Sequence, residues 1–369
     1  MILQTNSNRR VGIVEIGSRA IRLLVAEIAA NGRLTTVTSD WRETGLASAQ
    51  SAGGEVLDQK VDVVADVVNA FQRESQVRQV QRMCIFATEA VRRMSKEHTD
   101  ILRQRIPGLE VIDRKTEACC SLLGALTPFE APLPMGESFI IDQGAGSMEL
   151  AVGHISARGV ELSAYNSYRL GTQELVEDLN ACRKDFQRFI TGLQNKVRNL
   201  KLLAVDPKLS PIILGSAATK MAWIRIRRNP SDRYDPARVH GQVIETQSID
   251  KLADLALRAP EKVRPIIDPS KPDSPEFETV MTGLIALSLF LKRLGKAEFK
   301  VSAYGPRYGV VWMTVLYRKL GFDVPAGAQL GLHEECGESV TLATGTGASS
   351  RSKPAAATRP AHPANPPDG

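Results

Sequence analysis

Apolar runs broken by short polar or glycine-bearing stretches open the chain. Val11-Gly12-Ile13-Val14-Glu15-Ile16 is apolar apart from one carboxylate and predicts a buried strand. Ile21 to Ile28 is a second such run and Leu34 to Ser39 a third, so the N-terminus predicts a meander of hairpins. From Val56 to Gln72, apolar residues at Val56, Val63, Val67 and Phe71 alternate with polar ones at helical spacing, which predicts a helix. Met83 to Thr88 predicts another buried strand, with a helix following from about Glu89. Val111-Ile112-Asp113 predicts a short strand, and Thr116 a cap for an apolar helix from Glu117 to Leu126.

The proline-rich stretch Thr127-Pro128-Phe129-Glu130-Ala131-Pro132-Leu133-Pro134 breaks that helix and predicts a domain boundary, with one domain over 1–127 and a second over 128–335. After it the pattern starts again. Ser138-Phe139-Ile140-Ile141-Asp142 predicts a strand entering a glycine-rich turn, and Glu149-Leu150-Ala151-Val152-Gly153 the returning strand. Glu15-Ile16-Gly17-Ser18 and Asp142-Gln143-Gly144-Ala145-Gly146-Ser147 echo one another, which predicts a duplicated α/β fold with a cleft between the halves. The segment 336–369 is mostly Ala, Thr, Ser, Gly and Pro and reads as a disordered tail.

Composition narrows the classes. With 369 residues, 43% hydrophobic, the chain can bury two cores. No stretch approaches the ~18 consecutive apolar residues of a membrane span. Met1 to Arg10 holds no signal-peptide apolar region, and the five cysteines (Cys84, Cys119, Cys120, Cys182, Cys336) lack zinc or disulfide spacing; both point to the cytoplasm. A net charge of +6 favours anionic partners, but the basic residues are scattered and form no nucleic-acid module.

Three constellations could carry chemistry. In Ile141-Asp142-Gln143-Gly144-Ala145-Gly146-Ser147-Met148-Glu149, a carboxylate ends a buried strand before a turn of small residues. Such a turn lets backbone N–H groups approach phosphate, with magnesium bridging carboxylate and phosphate. Taken alone, the plainer reading is a hairpin whose glycines supply positive φ. Glu117, at a helix start, could activate water facing a cleft, or simply favour the helix dipole. Pro211 to Lys220 runs from an apolar strand through Gly215-Ser216 into a helix; it could admit phosphates or serve close packing.

In order and spacing these elements resemble the exopolyphosphatase / guanosine pentaphosphate phosphatase (Ppx/GppA) family. The motifs are Glu15-Ile16-Gly17-Ser18-Arg19, Ala87-Thr88-Glu89-Ala90-Val91-Arg92, Glu117-Ala118, Ile141 to Leu150 and Leu214-Gly215-Ser216-Ala217, over roughly residues 11–320. The resemblance implies two actin-like, ribonuclease H-like domains around a cleft. It implies Glu117 and Asp142 as catalytic residues, and Glu15, Asp142 and Glu149 around Mg²⁺. It also implies that Gly17, Ser18, Arg19, Arg92, Gly144, Gly146, Ser147, Gly215 and Ser216 bind phosphate. The implied reaction is in-line attack of water on a terminal phosphoanhydride of inorganic polyphosphate or guanosine pentaphosphate.

Departures bear on turnover. The family has Asp where this chain has Glu15, and Asn where it has Arg19; one methylene moves a carboxylate by about 1 Å, and misplacement on that scale can cost ~100-fold in rate. Ala145 replaces a glycine, Cys119 follows Glu117-Ala118 where the family commonly has arginine, and Ala303 stands at an often acidic position of the Ser302 to Gly309 segment. The alternative to a hydrolase is therefore a relative that binds polyphosphate or guanosine polyphosphates as a sensor. A kinase on the same fold is a third class, for which no acceptor site appears. The chain resembles the family's short form, without extra C-terminal domains; a homodimer could supply a longer channel.

Overall fold

The computed structural model describes residues 9–29, 34–52, 54–126, 136–156, 159–269, 271 and 273–319. The first half runs β1 (Arg9–Ile16), β2 (Ala20–Ile28), β3 (Leu34–Glu43), α1 (Leu46–Ala52), α2 (Gly54–Val77), β4 (Arg82–Ala87), α3 (Glu89–Arg92), α4 (Lys96–Arg105), β5 (Leu109–Val111) and α5 (Arg114–Ala125). Its sheet has the order β3-β2-β1-β4-β5. The β1–β2 and β2–β3 pairs are antiparallel, and the β1–β4 and β4–β5 pairs parallel.

The second half begins with β6 (Gly136–Gln143), β7 (Met148–Ser156), β8 (Gly159–Tyr168), α6 (Thr172–Ala181), α7 (Phe186–Arg198), β9 (Ile212–Gly215) and α8 (Ser216–Ile226). It continues through α9 (Pro236–Val239), β10 (Val243–Glu245), α10 (Thr246–Arg258), α11 (Pro260–Ile267), α12 (Glu276–Arg293), β11 (Glu298–Val301) and α13 (Pro306–Lys319). Its sheet order is β10-β11-β9-β6-β7-β8. With the edge strand β10 set aside, strand order and directions repeat those of the first half. These are two actin-like domains.

β1 and β2 are apolar on both faces because both faces are covered. Val14, Ile16, Leu23 and Val25 pack with Val61, Val64, Val68 and Phe71 of α2. On the other face Val11, Ile13, Leu24 and Ala26 join Leu122 of α5, Val311 of α13, and Ile140 and Leu162 of the second sheet in one core. The second half has its own core, which includes Phe139, Leu175, Leu193, Met281 and Phe290.

Helices α5 and α13 thus lie between the sheets. α13, which the sequence places in the 128–335 domain, packs on α5, β1 and β2 of the first half. Glycine makes this approach feasible: a Cβ on Gly309 would strike the carbonyl of Cys120, and one on Gly124 that of Gly305.

The cap of α5 is a correction. Asp113, not Thr116, is the N-cap: it is extended, and its carboxylate accepts from the N–H of Thr116 at 2.7 Å. The carboxylate is the stronger acceptor and stands three residues ahead of a free helical N–H. The boundary at 127–134 and the tail at 336–369 lie outside the described residues. Among the described residues no helix is long and apolar enough to cross a membrane.

Candidate active site

The β1–β2 hairpin brings Glu15 directly across the ladder from Arg22, and the β6–β7 hairpin brings Asp142 across from Glu149. Between them stands α5. Its Glu117 and Ser121, one turn apart, share a face, and the Ser121 hydroxyl donates to Asp142 Oδ2 at 2.6 Å. On the far side of β7, the Ser167 hydroxyl donates to Glu149 Oε1 at 2.9 Å. Four buried or nearly buried carboxylates from the two halves therefore sit within one another's electrostatic reach.

Burial and mutual repulsion shift the titration of Glu117, Asp142 and Glu149 upward. Burial pushes the Glu117 carboxyl up to about 7; Asp142 and Glu15 add to the rise while Arg92 opposes it. Asp142 is pushed up to about 6, again by burial and then by Glu15, against the Ser121 hydrogen bond and Arg22. Glu149 is raised well above the usual carboxylate range by burial, Glu117 and Asp142. A general base operates best with a value near the working pH, and Glu117 meets that condition.

Glu117 is held by Arg92, whose Nη2 lies 2.6 Å from Oε2 in an ion pair without hydrogen-bond alignment. Arg92 also pairs with Glu89 at 2.9 Å and donates to the carbonyl of Ile112. Although burial opposes it, Arg92 and Arg114 hold the Glu89 carboxyl below its ordinary value.

The glycine-rich turns meet at the same place. The carbonyls of Gly144 and Ala145 accept from the N–H groups of Thr172 and Gln173 at the start of α6, so the turn is held in one shape. Gly144 N–H donates across it to the carbonyl of Ser147. Gly146 abuts the other half: a Cβ there would lie 2.8 Å from Ser18 Oγ and 3.6 Å from Glu89 Cγ. Gly215 pairs with Gln143 in the parallel ladder at φ +115°, where a Cβ would strike the Gln143 carbonyl. Gly215 precedes Ser216, the first residue of α8, and Arg93 reaches Glu174 of α6 at 3.2 Å across the cleft.

Two expected residues are placed differently. Arg19 turns outward to Glu43 of β3 at 2.9 Å and is not directed at the second hairpin. Glu15, expected beside a metal, is taken by arginines: Arg22 lies at 3.8 Å and Arg307 of α13 at 3.3 Å. Arg307 also donates to the carbonyl of Leu23 at 2.9 Å.

Among the described residues no three His, Cys, Asp or Glu side chains form a group that could hold a metal ion. Magnesium needs no such cage, since it commonly takes one or two carboxylates with phosphates and water. Asp142 and Glu149, like-charged and opposite one another, fit that role; Glu15, neutralised by two arginines, does not.

Several contributors escape a reading of the sequence. Arg22 follows from hairpin register once the three-residue turn is counted, and Ser121 from its one-turn offset to Glu117. Arg307, Ser167, Arg93 and Glu174 join only through tertiary packing.

The model of the Ppx/GppA phosphatase family matches residues 24–318. This chain belongs to the Ppx/GppA phosphatase family. Among solved structures it is similar to the Ppx/GppA family member of Aquifex aeolicus, at 24% identity and a TM-score of 0.67, covering 85% of this chain and 99% of that one. It is also similar to an exopolyphosphatase from Cytophaga hutchinsonii, at 18% identity and a TM-score of 0.63, covering 83% and 98% of the two chains. An exopolyphosphatase-like protein gives 20% identity and a TM-score of 0.66, covering 85% and 99%. None of the curated proteins matches the chain. The Ppx/GppA relatives share its fold over nearly their whole length.

Proposed function

We propose that this protein is a cytoplasmic, Mg²⁺-dependent phosphoanhydride hydrolase that releases the terminal phosphate of inorganic polyphosphate or guanosine pentaphosphate. The observation that carries this reading is the meeting of Glu117, Asp142 and Glu149 beside the second glycine-rich turn. In this reading Glu117 takes a proton from water as its oxygen attacks the terminal phosphorus. The bridging P–O bond breaks, and the shortened chain leaves with the electron pair.

Asp142 and Glu149 would hold the metal, which supplies charge neutralisation at the phosphates. Ser121 and Ser167 orient those two carboxylates through their hydrogen bonds. The turn 144–147 and the Gly215-Ser216 turn approach the phosphates by backbone. Arg92 holds Glu117 in place and offers positive charge to an incoming phosphate.

A second reading has its own support. Glu15 is occupied by Arg22 and Arg307, and Glu117 of α5 by Arg92, so neither carboxylate is free of an arginine. A relative that binds polyphosphate or guanosine polyphosphates as a sensor would look the same.

Phosphate release from each substrate with Mg²⁺, beside Glu117→Ala, separates the two. Release that disappears in the variant supports the hydrolase. Absence of release with calorimetric binding intact supports the sensor.

A further inference from the structure

A second concentration of positive charge lies on the second domain, beyond the end of α8. Arg228, Arg233 and Arg238, with Asp232 and Asp235, line an open depression of about 470 Å³. The two carboxylates are turned to the loop's own backbone. Asp232 Oδ2 accepts from the N–H groups of Arg228 and Asn229 at 2.9 and 3.1 Å, and Asp235 Oδ1 from that of Ala237 at 3.0 Å. Arg238 is fixed in place, lying over the ring of Trp223 at 5.2 Å and donating to the carbonyl of Ile226 at 2.8 Å. Among the described residues no carboxylate lies within ion-pair distance of Arg228, Arg233 or Arg238. Arg238 is thus partly engaged, by the Ile226 carbonyl and by the nearby charge of Asp232, whereas Arg228 and Arg233 keep their guanidiniums available, and such groups are suited to phosphate oxygens.

Aromatic residues adjoin the depression. Tyr234 packs edge-on to Trp223 of α8 at 5.7 Å. That helix begins beside Gly215. Tyr234 also lies within electrostatic reach of Tyr304 and Tyr308, whose rings are 4.8 Å apart. Arg307, between those two tyrosines in sequence, reaches Glu15. The eleven residues of α8 separate the Gly215-Ser216 turn from the arginines by roughly 15 Å at 1.5 Å per residue. A ligand with one phosphate in the cleft must therefore be an extended polyanion to touch both.

We propose that the Arg228/Arg233/Arg238 depression is an exosite that holds distal phosphates of a long inorganic polyphosphate chain whose end lies in the cleft. This rests on the phosphoanhydride reading and names its substrate class: long polyphosphate in preference to guanosine pentaphosphate, whose phosphates end at a nucleoside.

The test compares the whole chain with Arg228→Gln/Arg233→Gln, both exposed positions. Binding of long-chain polyphosphate, tripolyphosphate and guanosine pentaphosphate is measured by calorimetry at several salt concentrations, with phosphate release followed in parallel. Long polyphosphate should bind about tenfold more weakly to the variant. Its slope of log Kd against log salt should fall by roughly 1–2, with tripolyphosphate changed less than twofold. An unchanged affinity for long polyphosphate, or an equal loss for tripolyphosphate, overturns the exosite. A loss confined to guanosine pentaphosphate overturns the assignment to polyphosphate. If the unmutated protein releases no phosphate yet shows the arginine-dependent binding of long chains, the exosite stands and the hydrolase reading fails.

Discussion

At the end of β1, Glu15 stands across the ladder from Arg22; at the corresponding point of β6, Asp142 stands across from Glu149. The backbone is the same hairpin used twice, and the charges are opposite in kind. The first pair is neutral on its own and gains a third member, Arg307, which ties α13 to β1 and β2. The second is a like-charged pair, a destabilising arrangement across a ladder, and burial aggravates it. A self-neutralised hairpin serves as a strut between elements. An uncompensated one is a place where a proton, a cation or both must come, and the proposed function puts its chemistry there, on the second hairpin and on Glu117.

The largest test of that division is Glu117→Gln. Phosphate release should fall by about 100- to 10,000-fold, the range for loss of a general base, in a steady-state assay with Mg²⁺. Glu15→Gln should cost far less, since in this structure Glu15 holds no catalytic position. Comparable losses in the two variants would return Glu15 to the catalytic site.

Next in size is the strut itself. Arg307→Gln removes a buried partner of Glu15 and should destabilise the fold by about 3 kcal/mol in urea unfolding. A change under about 1 kcal/mol would show that the first hairpin does not depend on Arg307.

The second hairpin should respond in the opposite sense. A carboxyl raised by the fold contributes stability that is full below its unfolded value and lost as pH rises through the folded one. For Glu117 that window runs from 4.5 to about 7. At pH 8 Glu149→Gln should therefore raise Tm by roughly 2–4 °C, with the gain gone at pH 4, while Glu117→Gln should gain less because it also strips Arg92 of a partner. A gain that persists at pH 4 would mean packing and not charge.

The smallest effect belongs to Arg19→Asn. It breaks only a surface pair with Glu43, worth under ~1 kcal/mol, and should leave release within twofold. A tenfold change would show that Arg19 swings to the phosphates.

Much of this was legible in the residues. The apolar runs predict β1, β2, β4 and β6, and the paired glycine turns predict the duplication, because both depend on neighbours within one hairpin or one helical turn. The α5 cap is Asp113 because the helix already begins at Arg114, which leaves Thr116 inside the first turn with its N–H facing the Asp113 carboxylate. Arg19 looked like a phosphate ligand because loop position alone does not reveal which way a long side chain turns.

The linear sequence determined the alternation of strands and helices, the two turns with their preceding carboxylates and the candidacy of Glu117, all set by local periodicity and by what glycine permits. Tertiary structure alone decided that α13 returns to the first domain, that Arg307 takes Glu15 and Arg92 takes Glu117, and that Ser121 and Ser167 orient the other two acids. Those outcomes depend on charges brought out of water beside one another from distant parts of the chain. The energy of such a contact depends on burial and distance, and neither is written in the order of the residues.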